Sequence, residues 1–511
     1  MDKNVIIIGA GLSGLSAGCY AQMNGYNSHI FEHHTVPGGV AATWKRQGYL
    51  IDGGIHFIMG HKPGTGLHQI FRDLGVSDPS LYVDMVSYGR FVHQATGVDL
   101  VVGNNLDKLA AQLKQLSPAD SAAIDKVIDG AKAMQGHDLS TIGMSQPPEL
   151  SSRFSQLKDL WQMASLMKYF GRQYSQKIAD FVKDFKTPWL KDFFCSLFLP
   201  ESPTWFVMMV LALVADRQCA FLARGCLDFV VTMDKHYNEL GGEATYQSTV
   251  DKILVENDRA VGIRLANGRE YRADYVVSTG DSYNAIFHLL EGRYITDRIK
   301  KRHEIWPLSR PFLIASYGVT REFPRDNPFS TVIIDEPIAI GNEKVNTLFI
   351  RILNYSSRFA AAGKTVFQVE IETSFDYWFD LQARDRNAYN QEKKRVADEF
   401  LARLEKYYPG LSTQVDVMDV ATPYTTWRYT LNRKGAWGAW LMTSDIMMER
   451  IERRLPRLKN FYMAGQWVMC GGVPPSLYSG RHAIQLICRD EKKKFTVEKL
   501  SRGGLQNAHE H

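Results

Sequence analysis

The spacing of apolar positions changes several times along the chain, and each change predicts an element. Val5-Ile6-Ile7-Ile8 is an unbroken apolar run, the pattern of a strand buried on both faces of a parallel sheet. It breaks at Gly9, Gly11 and Gly14 and passes into Leu15-Ser16-Ala17-Gly18-Cys19-Tyr20-Ala21, small residues suited to a helix lying close against that strand. Asn27-Ser28-His29-Ile30-Phe31 predicts a second strand that ends at Glu32. Residues 60–90 read as helix and loop, and helical periodicity returns over 106–116 and 121–134. Over 154–185 apolar residues at helical spacing alternate with Lys158, Lys168, Arg172, Lys177 and Lys183; this predicts a helical region with an aromatic core face, or one that also meets lipid. Residues 205–215 are apolar all round, hence a buried helix or the wall of an apolar tunnel.

A helix from about Ala223 to Leu240 precedes Gly241-Gly242, and strand patterns follow at 250–255 and 260–265 with a hairpin at Asn257-Asp258. A second hairpin is signalled by Asn267-Gly268 before 271–277. Between about 294 and 455, strands are predicted at 313–317, 332–334, 347–352 and 366–372, with a helix over 392–407. Leu458 to Gln466 reads as a strand meeting Gly465, and Gly471-Gly472-Val473-Pro474-Pro475 opens a last helix, prolines being suited to a first helical turn. The charged tail is expected to be disordered beyond about Leu500.

Strand, three glycines, helix, strand and acid in this order predict a dinucleotide site. Gly9 permits the turn, Gly11 leaves room for a pyrophosphate, and Gly14 lets the helix approach the strand. Glu32, 18 residues beyond Gly14, can accept hydrogen bonds from ribose hydroxyls and would repel a 2′-phosphate, which favours FAD or NAD over NADP. The glycine pairs Gly38-Gly39 and Gly53-Gly54 fall in loops where backbone turns sharply or passes close to a ligand.

Composition narrows the class. At 511 residues two lobes are expected, and 60 basic against 55 acidic residues, spread through the chain, give no indication of a nucleic-acid partner. Six cysteines without a Cys-x-x-Cys pair suit a reducing compartment, and they argue against a disulfide frame or zinc site. His33 and His34 are adjacent and there is no His-Glu-x-x-His, so no metal is expected. The chain enters its first strand at once, leaving no room for a cleavable signal, and the apolar run 205–215 is about half a bilayer long; the expected location is cytoplasmic, with possible peripheral membrane contact.

The acid ending strand two, the Pro37-Gly38-Gly39 loop and Gly48-Tyr49-Leu50-Ile51-Asp52-Gly53-Gly54 together resemble the FAD-containing phytoene desaturase superfamily of amine-oxidase-like flavoproteins. Asp52 to Ile58 looks most like its carotenoid isomerase and retinol saturase branch. The resemblance implies an α/β fold: a Rossmann-like FAD lobe, discontinuous in sequence (1–90, 221–293 and 456–490), with an inserted α+β substrate lobe (91–220 and 294–455) and a charged tail at 491–511. It implies FAD contacts at Gly9, Ala10, Gly11, Leu12, Ser13, Gly14, Glu32, His33, Gly38, Gly39, Val40, Gly54, Ile55, His56, Val250, Gly465, Gln466, Val473 and Pro474. His56 is the candidate catalytic base, against a structural role in its loop; Asp52 reads as architectural.

No second glycine fingerprint with its own strand and acid is present, so an external electron donor or acceptor is expected. The expected substrate is a long hydrophobic polyene, a carotenoid or retinoid, undergoing desaturation, saturation or cis–trans isomerisation at C=C bonds. A fatty acid or amine as substrate, and a flavin-binding assembly protein without turnover, stay open as alternatives. Gly435-Ala436-Trp437-Gly438-Ala439-Trp440 could wall a substrate cavity or simply fill a core.

Overall fold

The computed structural model describes residues 3–139, 144–151 and 164–498. Its first sheet has five parallel strands in the order Glu243–Thr245, Asn27–Phe31, Asn4–Ile8, Tyr275–Ser278, Phe461–Met463, drawn from three distant stretches of chain. The β-branched run at its centre explains why both faces are covered. Val5 and Ile7 point to one side, where the opening helix Leu12–Met23 and the closing helix Val473–Asp490 bury Leu15, Cys19, Leu477 and Ile484 against them. Ile6 points to the other side, into a cluster with Ile253 and Ile263 from the antiparallel strands Val250–Glu256 and Arg259–Leu265. The turn at Asn267-Gly268 forms as expected, joining Arg259–Leu265 to the short strand Glu270–Arg272.

A second sheet has seven strands: Val415–Ala421, Phe312–Val319, Thr365–Glu372, Glu343–Ile352, Phe329–Ile340, Ser87–His93 and Val98–Gly103. One of its faces packs Leu313, Tyr317, Ile350, Val369 and Ile371 against Trp378, Phe400 and Leu404 of the helices Phe375–Arg384 and Arg386–Glu405. The opposite face looks toward the glycine loops. A third, helical cluster is centred on Thr204–Ala215, whose Val207, Met208, Val210 and Leu211 are buried. Gly130 of the helix Ser121–Met134 comes so near it that a Cβ there would sit 2.4 Å from Met208 Sδ.

The stretch read as helix and loop over 60–90 holds the helix Gly66–Asp73 but also the strands Tyr82–Asp84 and Ser87–His93. The latter shows no apolar alternation because it is buried on both faces, and it runs across residue 90 to pair in parallel with Phe329–Ile340. The region 154–185 lies partly outside the described residues. Its described part is broken into the short helices Met167–Phe170 and Ile178–Phe181, which turn Tyr169 and Ile178 into the helical core, where Phe185 beyond them is also buried. No helix among the described residues is long and apolar enough to cross a membrane. The expected disorder beyond Leu500 falls outside the described residues.

Candidate active site

The glycines of the first turn divide by what surrounds them. Gly9 takes a φ of +102°, and a Cβ on Gly14 would lie 1.9 Å from the Gly9 carbonyl oxygen, so both are required by the protein's own packing. Gly11 is different: its φ is −70°, and a Cβ would meet only the Gly38 oxygen at 4.0 Å. The open side of Gly11 coincides with the start of the opening helix, where Gly11 offers no side-chain cap and no acidic side chain occupies the first turn. Unpaired N–H groups and the positive end of the helix dipole therefore face that space, a cradle that suits a phosphate.

Two loops extend the cradle toward the second sheet. Gly38 and Gly39 have φ of +126° and +60°; the Gly38 N–H donates to Ala10 O at 2.9 Å, and Gly11 and Gly38 form an isolated parallel bridge. Gly53 N–H donates to Ala42 O at 3.0 Å, and a Cβ on Gly54 would approach within 2.9 Å of Ala41 Cα, Val40 O and Cys226 Sγ. Backbone therefore stacks on backbone from Gly11 through Val40 to Gly54 and Ile55, ending at His56. These positions are half-buried in an otherwise closed region.

Glu32 is buried at 7% exposure, and its carboxylate oxygens accept from Ala10 N at 2.6 Å and His34 N at 2.7 Å. Burial pushes this carboxyl up, and the two N–H groups work against the shift. Each oxygen keeps a further acceptor direction. His33 hydrogen-bonds Thr249 Oγ1 through Nδ1 at 2.7 Å, which brings the Val250 backbone to the end of the second strand, while the Val250 side chain is buried with Ile6 and Phe31.

On the other side, the closing helix begins at Gly472, φ +119°, with Pro474 and Pro475 in its first turn. Ser479 Oγ accepts from Gly465 N at 2.7 Å and lies 3.0 Å from Ser13 Oγ, so Ser13, Gly465 and the closing helix are tied together. Val473 joins the apolar cluster of Ala10 and Leu12, and Gln466, next to Gly465, is half-buried. A Cβ on Gly471 would lie 2.7 Å from Gly438 O, which brings Trp437 alongside. Trp437 packs on Phe312 (centroids 5.5 Å), and Phe312 packs on His56 (6.2 Å). A continuous chain of contacts thus runs from the Gly11 turn to an aromatic-faced sheet.

Arg351 and Glu370 at this site were not expected. His56 Nε2 is 2.6 Å from Glu370 Oε2, and Arg351 Nη1 donates to Glu370 Oε1 at 3.1 Å while Arg351 Nη2 reaches Asp52 Oδ2 at 3.3 Å. Burial acts to raise the Glu370 carboxyl, but His56 and Arg351 outweigh it and hold it down at about 2. Asp52 also accepts from Cys226 N and Thr43 Oγ1, which accords with its architectural reading. The alternation Gln368-Val369-Glu370-Ile371-Glu372 signals a polar sheet face, which ordinarily means solvent; only the packing of the loop at 52–56 against it makes Glu370 buried. Arg351, a lone cation in the run Leu348-Phe349-Ile350-Arg351-Ile352, was the readable signal.

Similarity to known proteins extends over most of the chain. The model of the family described as flavin containing amine oxidoreductase matches residues 12–488. A chloroplastic prolycopene isomerase from Daucus carota is 23% identical over 448 residues, covering 86% of this chain and 72% of that protein. A lycopene-forming phytoene desaturase from Paracoccus sp. is 25% identical over 517 residues, covering 96% and 98% of the two chains. Among solved structures, an oxidoreductase from Methanosarcina mazei superimposes with a TM-score of 0.58 at 16% identity, covering 94% of this chain and 100% of that one.

Proposed function

The chain belongs to the flavin containing amine oxidoreductases, and from that premise we propose that it is an FAD-dependent oxidoreductase acting on the carbon–carbon double bonds of a long hydrophobic polyene. The observation that carries this reading is the unbroken chain of contacts from the open side of Gly11 to the aromatic face at Phe312 and Trp437. The relatives named as a prolycopene isomerase and a phytoene desaturase support the polyene class. In this reading the lobes divide as 1–90, 221–293 and 456–490 for the cofactor, and 91–220 and 294–455 for the substrate.

The residues fit the dinucleotide. Gly9 to Gly14 would hold the pyrophosphate at the helix start, Glu32 the ribose with His33 beside it, and the Val250 backbone the adenine. Gly38, Gly39, Val40, Gly54, Ile55, Gly465 and Gln466 would border the ring system, with Val473 and Pro474 placing the closing helix's positive end beside it. Bound there, the flavin supplies the two-electron chemistry. The chain's own part is to orient an apolar skeleton on the sheet face, to exclude water, and to hold or move a proton at His56. A substrate of this kind resides in lipid, so peripheral membrane contact belongs to the reading, as does an external electron donor or acceptor.

The amine alternative gains nothing from Trp467, the residue that would serve an aromatic cage. It is 1% exposed, stacked edge-on against Trp440 at 5.2 Å, and its Nε1 donates to Asn432. The test is anaerobic mixing of FAD-loaded protein with carotenoids, retinol, unsaturated fatty acids and amines, following flavin absorbance and product. Bleaching by a polyene identifies a desaturase. Conversion by pre-reduced protein alone identifies a saturase or isomerase, which product mass separates. Bleaching only by amines or fatty acids overturns the substrate class, and no response to any compound leaves a flavin-binding protein without turnover.

A further inference from the structure

The glycine loop at 52–56 meets the seven-stranded sheet through an ionic chain, Asp52–Arg351–Glu370–His56, whose depth changes sharply at its last member. The side chains of Asp52, Arg351 and Glu370 are 1%, 3% and 1% exposed, whereas His56 is 29% exposed. Arg351 donates to the carbonyl of Asp52 (3.0 Å), the carboxylate of Asp52 (3.3 Å) and Glu370 Oε1 (3.1 Å). That leaves Glu370 Oε2 aimed at His56 Nε2 at 2.6 Å. Buried ion clusters of this kind contribute little net stability compared with apolar packing, because desolvation offsets the attraction. What the chain does achieve is to fix one carboxylate oxygen on one ring nitrogen.

We propose that Glu370, itself clamped by Arg351 and Asp52, is a positioning residue that fixes His56 in the Nε2–H tautomer and so makes Nδ1 the proton-accepting atom of the site. An ionised carboxylate can only accept, so the hydrogen between the two groups resides on Nε2. The Arg351 guanidinium, 3.1 Å from Glu370 Oε1, keeps that carboxylate ionised beside the neutral ring. The lone pair of the neutral ring then falls to Nδ1, which has no hydrogen-bond partner among the described residues. Phe312 and Phe329, with centroids 6.2 and 6.3 Å from the ring, fix its plane in apolar surroundings. A proton leaving a substrate carbon or a water bonds to the Nδ1 lone pair and makes the ring an imidazolium facing Glu370. Its return through the same nitrogen restores the neutral ring, and no electrons are exchanged with the side chain.

The part played in turnover rests on the flavoenzyme reading above; the tautomer does not, and the experiment separates them. Histidine-¹⁵N-labelled holoprotein is examined by long-range ¹H–¹⁵N correlation at alkaline pH, with His56 identified by the signals lost in His56→Asn. The expected result is a pyrrole-like Nε2 and a pyridine-like Nδ1. In Glu370→Gln, whose amide can donate as well as accept, the Nδ1–H form should rise to a comparable population. kcat on the polyene should fall about 100-fold with KM within about twofold, the size of a lost acid–base contribution, and Glu370→Asp should restore part of it. A protonated Nδ1 in the wild-type protein, or a tautomer unmoved by Glu370→Gln, overturns the proposal. If Glu370→Gln does not fold, the wild-type spectrum still decides. If no polyene is turned over, the substrate reading fails while the nitrogen shifts still judge the pair.

Discussion

Gly11 and Gly14 stand three positions apart and are glycines for different physical reasons, which makes them separable by substitution. Gly11→Val leaves an allowed φ of −70° and touches little protein, so the fold should persist while the added methyls fill the phosphate cradle. The expected outcome is the melting temperature of the flavin-free wild-type protein with no flavin absorbance after desalting; a protein that stayed yellow would overturn the cradle assignment. Gly14→Ala, by contrast, puts a methyl 1.9 Å from the Gly9 oxygen and should lower stability before it affects anything else. Glu32→Ala should weaken FAD binding by ~1.5–3 kcal/mol for each charge-assisted hydrogen bond lost, or roughly 10-fold to 100-fold in Kd for one bond. Titration with FAD checks this, and unchanged affinity would remove Glu32 from the ribose role.

At the scale of elements, the opening and closing helices meet through residues too small to separate them. A Cβ on Gly480 would lie 2.3 Å from Ser13 O and 2.7 Å from Ala17 N, so Gly480→Ala should destabilise by about 1–3 kcal/mol, read as a lower denaturant midpoint at constant slope. An unchanged midpoint would mean the helices can part freely. Elements of this kind were legible where period and punctuation agree: the β-branched first strand, the helices Leu106–Leu116 and Ser121–Met134, and the Asn267-Gly268 turn all formed where their patterns put them. Ser87–His93 was not legible, because a strand covered on both faces loses its alternation. Val98–Gly103 does alternate, through Val98, Leu100 and Val102, and could have been found. The acid partner of His56 was hidden for another reason. Glu370 reads as solvent-facing within its own strand, and its burial is decided by a loop more than 300 residues away.

For the molecule as a whole, the buried polar groups set how it responds to acid. His303 is 5% exposed among Tyr283, Phe287 and Trp440, and burial together with Arg433 and Arg302 lowers it to about 4. A histidine held neutral in the folded state while the unfolded chain titrates near 6.5 contributes stability that is complete above that pH. That stability is lost as pH falls toward 4. Urea midpoints across this window should therefore slope more steeply for the wild-type protein than for His303→Gln, by an amount on the order of 3 kcal/mol in total. Equal slopes would mean that His303 gains its proton without penalty.

The parallel sheet draws its strands from residues 4–31, 243–278 and 461–463. During synthesis the first two strands must therefore wait for the last edge strand and the helix after it, with more than 400 residues of chain intervening. Loop closure over such separations is slow and leaves the half-built sheet with an open edge. The closing helix is also what Ser479 uses to grip Gly465 and Ser13. A nascent chain is thus unable to complete its parallel sheet, or the grip of Ser479 on Gly465 and Ser13, until the residues through the closing helix have left the ribosome.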